Sequence, residues 1–247
     1  MAQITLRGEE LEFDDPVLVE GLPGVGLVGK IATDHLIDEF EMTYYASIHC
    51  EGIPRIGLYF EGDDEVRPPV RLYADPEREL FALRSEVPIS RTGSTEFAHC
   101  VTGWIETHDV TPIYLSGRPT EKSHEVPALF GVTTGGASHL LEGHDVERPS
   151  ETGVIGGPTG ALLNRAAEID LESVGLVVES DPQFPDPEAA RVLIDRGIEP
   201  IAGIDVNTES LVEHAEEIRE QRELLARRMR EAEEDESTQA QPLRMYQ

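Results

Sequence analysis

The apolar run VLVE at residues 17 to 20 is closed by the glycine-rich stretch GLPGVGLVG, and apolar residues then recur at helical spacing from Leu27 to Phe40. Strand, tight turn and helix in that order constrain the chain strongly. A short strand that is apolar on both faces has to be covered above and below, which is the situation of a strand inside a parallel or mixed sheet. The same device returns in VIGGPTGALLNRAAEI, residues 154 to 169.

Between and after these two units, strand and helix patterns alternate. TYYASIHC (43 to 50), RIGLYF (55 to 60), VRLYAD (70 to 75) and ELFALRS (79 to 85) are rich in aromatic and β-branched residues and are separated by Gly, Pro and Asp, so each reads as a strand. Ser94 to Thr107 carries Phe97, Val101, Trp104 and Ile105 on one helical face. TPIYLSG (111 to 117), PALFGVTTGG (127 to 136) and ESVGLVVES (172 to 180) read as strands, and DPEAARVLIDRG (186 to 197) as a helix capped by Gly197. From Thr208, placed as an N-cap, a charged helix is expected to run to about Asp235, with Leu211, Ala215, Ile218, Leu225, Met229 and Ala232 in one stripe that Arg222 interrupts.

The pattern predicts an α/β fold of three layers, a mainly parallel mixed sheet between two layers of helices, with a C-terminal helix added. A chain of 247 residues accommodates one such domain. The expected boundaries are 1–205 for the α/β domain, 206–235 for the charged helix and 236–247 for a flexible tail.

The first glycine-rich turn imitates two ligand motifs. Gly24, Gly26 and Gly29 spell GxGxxG after a strand and before a helix, with Glu51 about 20 residues beyond, as in dinucleotide-binding folds. Gly24 to Lys30 also spells GxxxxGK, the start of a phosphate-binding loop, but Ile31 stands where that loop needs Ser or Thr to hold magnesium, and Thr33 comes two residues too late. Pro23 and the strand-rich stretch after residue 50 weaken the dinucleotide reading. Glycines at a tight strand-to-helix turn also permit positive φ and close packing with no ligand present, and the turn is read as architectural, with no cofactor. The alternative is a nucleotide- or nucleoside-handling enzyme that uses this turn and the turn Gly156 to Gly160 as anion sites at helix N-termini.

Charge narrows the partners. The net charge is -29, from 49 acidic against 20 basic residues, and only Lys30 and Lys122 are lysines. A folded chain with this self-repulsion is comfortable where salt screens it, which points to a halophilic cytosol. Nucleic acid and anionic membrane surfaces are excluded as partners, since both need a basic patch. The opening MAQITLRGEELEF carries no basic segment followed by an apolar one, and no 18 apolar residues run together, so a cytoplasmic protein is expected. Cys50 and Cys100 each follow a histidine, but adjacent residues point in different directions and make poor chelating pairs. They read as reduced structural thiols. His139 and His144, five residues apart, read as surface histidines, and no metal site is expected.

The string VEGLPGVGLVGKIATDHLI (19 to 37) together with GGPTGALLNRAAE (156 to 168) resembles the proteasome assembly chaperone family, in particular its archaeal members. The likeness extends over nearly the whole chain to about residue 200. Its hallmark is the E-G-x-P-G-x-G-x-x-G turn, carried here by Glu20, Gly21, Pro23, Gly24, Gly26 and Gly29, and it accounts for Pro23. The resemblance implies a fold like that of phosphorylase and hydrolase domains, homo-oligomers, and no established catalysis, so no catalytic residue is carried over.

It also implies a role for the chain end. Some archaeal members resemble proteasome-activating ATPases in ending with a hydrophobic residue, a tyrosine and any last residue, and Met245, Tyr246 and Gln247 match that pattern. The expected partner is therefore the α-ring of the 20S proteasome. A tyrosine and a terminal carboxylate would enter a pocket between two ring subunits, and several tails on one oligomer would add affinity by avidity.

Overall fold

The computed structural model describes residues 3–62, 64–120, 126–183, 185–211 and 213. Its strands are Gln3–Leu6 (β1), Val17–Gly21 (β2), Thr43–His49 (β3), Val70–Asp75 (β4), Leu80–Ser85 (β5), Thr111–Pro119 (β6), Leu129–Thr134 (β7) and Ser173–Ser180 (β8). The helices are Val28–Glu39 (α1), Ser94–Thr107 (α2), Gly157–Glu168 (α3), Pro187–Leu193 (α4) and Glu199–Ala202 (α5).

All eight strands join one sheet in the order β1-β3-β4-β5-β2-β6-β8-β7. Its centre, β5-β2-β6-β8, is parallel, and the strands outside it pair antiparallel on both sides. The sheet is thus mixed, with the parallel character confined to the middle. There Leu18, Val19, Ile113, Leu115, Val174 and Leu176 are all buried, as expected of strands covered on both faces.

One core packs α1 and α4 against the sheet through Val28, Ala32, Leu36, Ala189, Ala190 and Leu193. The opposite core packs α2 and α3 through Phe97, Val101, Ile105, Leu162 and Ala166. The result is the three-layer α/β/α arrangement. Among the described residues no helix is long and apolar enough to cross a membrane.

Several expectations need correction. Residues 55–60 do not form a strand of the sheet; among the described residues they pair through a single bridge between Leu58 and Arg67. The short strand β1, which pairs antiparallel with β3, was not anticipated. The helix expected from Leu27 begins at Val28, because Leu27 has φ 52°. Gly197 does not cap a helix: α4 continues through a π-turn, Ile194–Ile198, into α5, and the left-handed Gly203 is the cap. Gly197 is buried instead, where an added Cβ would sit 2.6 Å from Leu176. Thr208 does not cap its helix through its side chain but donates to Asp195 at 3.0 Å. That helix is described only at Glu209–Leu211 and Glu213, and the remainder of the expected stripe lies outside the described residues.

Candidate functional site

The glycine-rich turn leaves the C-terminal end of β2 at the centre of the sheet and enters α1 through a short 3-10 segment, Val25–Leu27. Gly26 has φ 60°, a conformation that side chains with a branched Cβ avoid. A Cβ there would lie 1.9 Å from Ser180 Oγ, and the Gly26 carbonyl accepts a 2.8 Å hydrogen bond from the Asp186 amide. Asp186 caps α4 by accepting from Ala189 N, and its other carboxylate oxygen accepts from Ser180 Oγ and Asp181 N. The turn is thereby keyed to the end of β8 and the start of α4.

Gly21 and Gly29 face each other across the same turn. A Cβ on Gly21 would meet Thr33 Oγ1 at 2.1 Å and the Gly29 carbonyl at 2.6 Å, and one on Gly29 would stand 3.1 Å from Leu115 Cβ. Gly117 of β6 leaves room for the Val25 carbonyl, 2.5 Å from where its Cβ would be. Gly24 differs, with φ -145° and ψ -160° and no close neighbour other than the Leu22 carbonyl at 4.0 Å.

Glu20, the last residue before this glycine run, is fully buried. One carboxyl oxygen accepts from Thr159 Oγ1 at 2.9 Å and the other from the Leu115 amide at 3.2 Å. Thr159 belongs to GGPTG at the start of α3, so one side chain ties β2, β6 and the second glycine-rich turn together. Burial pushes the Glu20 carboxyl up from 4.5 to about 8, against the lowering effect of its hydrogen bonds to Thr159, Leu115 and Leu22, and the group is mostly protonated at neutral pH. Tyr114, its fully buried neighbour in electrostatic terms, is also held protonated, by burial and by Glu20.

Lys30 does not reach toward the turn as a phosphate-loop lysine would. Its ammonium pairs with Asp34 at 2.5 Å and Glu86 at 3.0 Å. Arg71, buried, pairs with Glu86 at 2.7 Å, and Arg84 Nε lies 2.7 Å from Glu86 and 3.0 Å from Asp34, close in charge without good hydrogen-bond alignment. Burial raises Glu86, but Arg84, Lys30 and Arg71 outweigh it and leave the carboxyl below its usual range. For Asp34 burial wins over the same cations, and its pKa is raised.

The dinucleotide pattern fails for a topological reason. Glu51 follows β3, which β4 and β5 separate from β2, so it stands three strand spacings, roughly 14 Å, from the glycine-rich turn. The crevice at the ends of β6 and β8 holds a cavity of about 240 Å³ lined by Gly117, Arg118, Phe130, Val154, Ile155 and Val177, none of them from the turn 20–29. Among the described residues no group of three or more His, Cys, Asp or Glu is placed to hold a metal ion. Met245, Tyr246 and Gln247 lie outside the described residues.

Residues 18–226 match the PAC2 family. The chain belongs to the PAC2 family. The crystal structure of Pyrococcus furiosus PbaA, described as an archaeal homolog of proteasome-assembly chaperone, is similar over 96% of this chain and 97% of that one, with a TM-score of 0.78 and 26% identity. P. furiosus PbaB, described as an archaeal proteasome activator, shares the fold with a TM-score of 0.77 at 24% identity, over 91% of this chain and 98% of that one. In sequence, the uncharacterized protein MJ0106 of Methanocaldococcus jannaschii is 29% identical over 215 residues, 85% of this PAC2 chain and 84% of that protein. The partners of the glycine-rich turn, Thr159, Ser180 and Asp186, were not singled out in the sequence; the only signal for Thr159 was its place in the second glycine-rich turn.

Proposed function

We propose that this PAC2 protein is a non-catalytic assembly chaperone or adaptor of the 20S proteasome, a cytoplasmic homo-oligomer that docks on the α-ring through Met245, Tyr246 and Gln247. The observation that carries the reading is the likeness to PbaA along almost the full length of both chains. A relation confined to the sheet would speak only for a common scaffold.

An architectural role is proposed for Glu20, Gly21, Pro23, Gly24, Gly26 and Gly29, and the close packing at Gly21, Gly26 and Gly29 supports it. Val25 packs into the space left by Gly117, Gly26 abuts Ser180, and Lys30 is engaged by two carboxylates. The lysine that a phosphate-binding loop would send to its ligand is already committed to Asp34 and Glu86.

The test is co-purification with 20S particles in molar salt, paired with thermal-shift titrations of NAD, ATP and nucleosides. Capture of 20S and flat titrations are expected. A saturable thermal shift with a nucleotide, and no 20S in the eluate, would replace this reading with the enzyme alternative.

A further inference from the structure

RIGLYF has the composition of a strand, yet its cross-strand pairing among the described residues is the single bridge in which Leu58 and Arg67 exchange backbone hydrogen bonds of 2.9 and 2.8 Å, while Ile56 N–H bonds locally to the Pro54 carbonyl at 3.0 Å. Leu58 N–H and C=O therefore point toward Arg67, and the backbone groups of Gly57 and Tyr59 point toward the opposite edge of the segment. Apolar side chains are exposed on this arm, Tyr59 at 84%, Val66 at 69% and Ile56 at 46%. Arg7 of β1 pairs with Glu65 beyond the bridge, which holds the arm beside the outermost strand of the sheet.

We propose that residues 55–61 pair antiparallel with the same residues of a second copy of this chain, across a two-fold axis at Leu58. This inference rests on the self-association proposed above and assigns it a surface. The choice of a second copy comes from the order of the residues. With Leu58 opposite Leu58, Arg55 falls opposite Glu61, Ile56 opposite Phe60, and Gly57 opposite Tyr59.

Every cross-strand position is then complementary. Arg55 and Glu61, both exposed, make two opposite-charge pairs related by the axis. Tyr59 lies opposite Gly57 of the facing copy, where Val66 Cγ1, 2.5 Å from the position of an added Cβ on Gly57, covers the glycine and offers the ring an apolar surface. Leu58 and Phe60, both half-buried, face the body of the protein, with the Arg71 guanidinium 5.1 Å from the Phe60 ring centre. The register also matches the backbone, since Gly57 and Tyr59 are the residues whose N–H and C=O face outward. In a chain of net charge -29, an edge that meets its own copy with balanced charges avoids the repulsion that most of the surface would impose.

The experiment is sedimentation equilibrium of the full chain at the lowest salt that keeps it folded, with the wild type, Tyr59→Ser, Arg55→Glu and the double swap Arg55→Glu with Glu61→Arg. Circular dichroism monitors the fold, which these exposed positions should leave intact. Each single variant is expected to weaken association at least tenfold, and the double swap to restore it, because exchanging both charges recreates the pairs across the axis. An oligomeric wild type with unaffected single variants would overturn the arm as the interface and leave self-association standing. Single variants that dissociate without rescue by the double swap would overturn the register. A wild type that is monomeric at all concentrations would remove self-association and this inference with it.

Discussion

Thr159 Oγ1 donates to a carboxyl oxygen of Glu20 at 2.9 Å across 139 residues of chain, joining the two glycine-rich turns that lead into α1 and α3. The bond lies in a fully buried position, so neither partner can replace it with water, and losing one would leave a polar group stranded. The Glu20 side chain therefore acts as a clasp between β2, β6 and α3.

This clasp should make stability depend on pH in a defined direction. The folded-state pKa of Glu20, about 8, lies above the unfolded value of 4.5, so between those values the folded protein keeps a proton that the unfolded chain has released. Its contribution is full below about pH 4.5, declines as the pH rises, and is gone above about pH 8, a change on the order of a few kcal/mol. Glu20→Gln resembles the protonated side chain: its amide oxygen can accept from Leu115 N while its nitrogen donates to a Thr159 hydroxyl that has turned to accept. Thermal melts of both proteins from pH 5 to pH 9 should show the wild type losing stability relative to the variant as pH rises. Parallel curves would mean that Glu20 titrates normally.

The glycines of the turn should not be equivalent. Gly26→Val forces a branched side chain to φ 60° and into Ser180, and should cost about 3 kcal/mol or more. Gly24→Ala, in extended backbone with open space beside it, should change stability by less than about 1 kcal/mol. Urea unfolding of the two variants checks this, and equal losses at both positions would show that the turn is constrained by something other than its packing against β8.

How far the sequence discloses this architecture depends on how local the governing interaction is. The turn from β2 to α1 was legible because its apolar run, glycines and helical period are contiguous, and the central strands because burial on both faces leaves unbroken apolar runs such as GLVV in β8. β1 was not, since QITL is short and only Ile4 is half-buried. RIGLYF misleads because its composition is that of a strand while, among the described residues, only Leu58 of the six forms a bridge. Gly197 resembled a cap, yet its small size serves contact with Leu176, a residue of β8 that no nearby pattern identifies. The partners of the glycine-rich turn were hidden for the same reason, as Glu20 and Thr159 become neighbours only after β6 and α3 are in place.

Salt should be required for the folded state. With 49 acidic and 20 basic side chains, self-repulsion is suppressed only when the screening length falls to about 3 Å, near 1 M salt. Melting temperature is expected to fall steadily as potassium chloride is lowered from about 3 M, with unfolding or aggregation below about 1 M. A protein equally stable in dilute buffer would show that its ion pairs, such as those of Arg71 and Lys30 with Glu86, suffice without screening.

The last prediction separates docking from folding. Residues 236–247, ESTQAQPLRMYQ, contain few apolar side chains, so deletion of Met245 to Gln247 should leave the melting temperature of the domain unchanged. Binding to purified 20S particles should fall at least tenfold, because a tyrosine seated in a pocket contributes on the order of 1 to 3 kcal/mol and the loss multiplies when several tails bind together. Tyr246→Ala should behave like the deletion, while Tyr246→Phe, which keeps the ring and loses the hydroxyl, should retain part of the affinity. Surface-plasmon measurements in high salt distinguish the cases. Equal binding by wild type, Tyr246→Ala and the deletion would move any contact with the proteasome from the tail to the folded domain, and the exposed apolar residues Tyr59, Val66 and Val154 would then be the first positions to mutate.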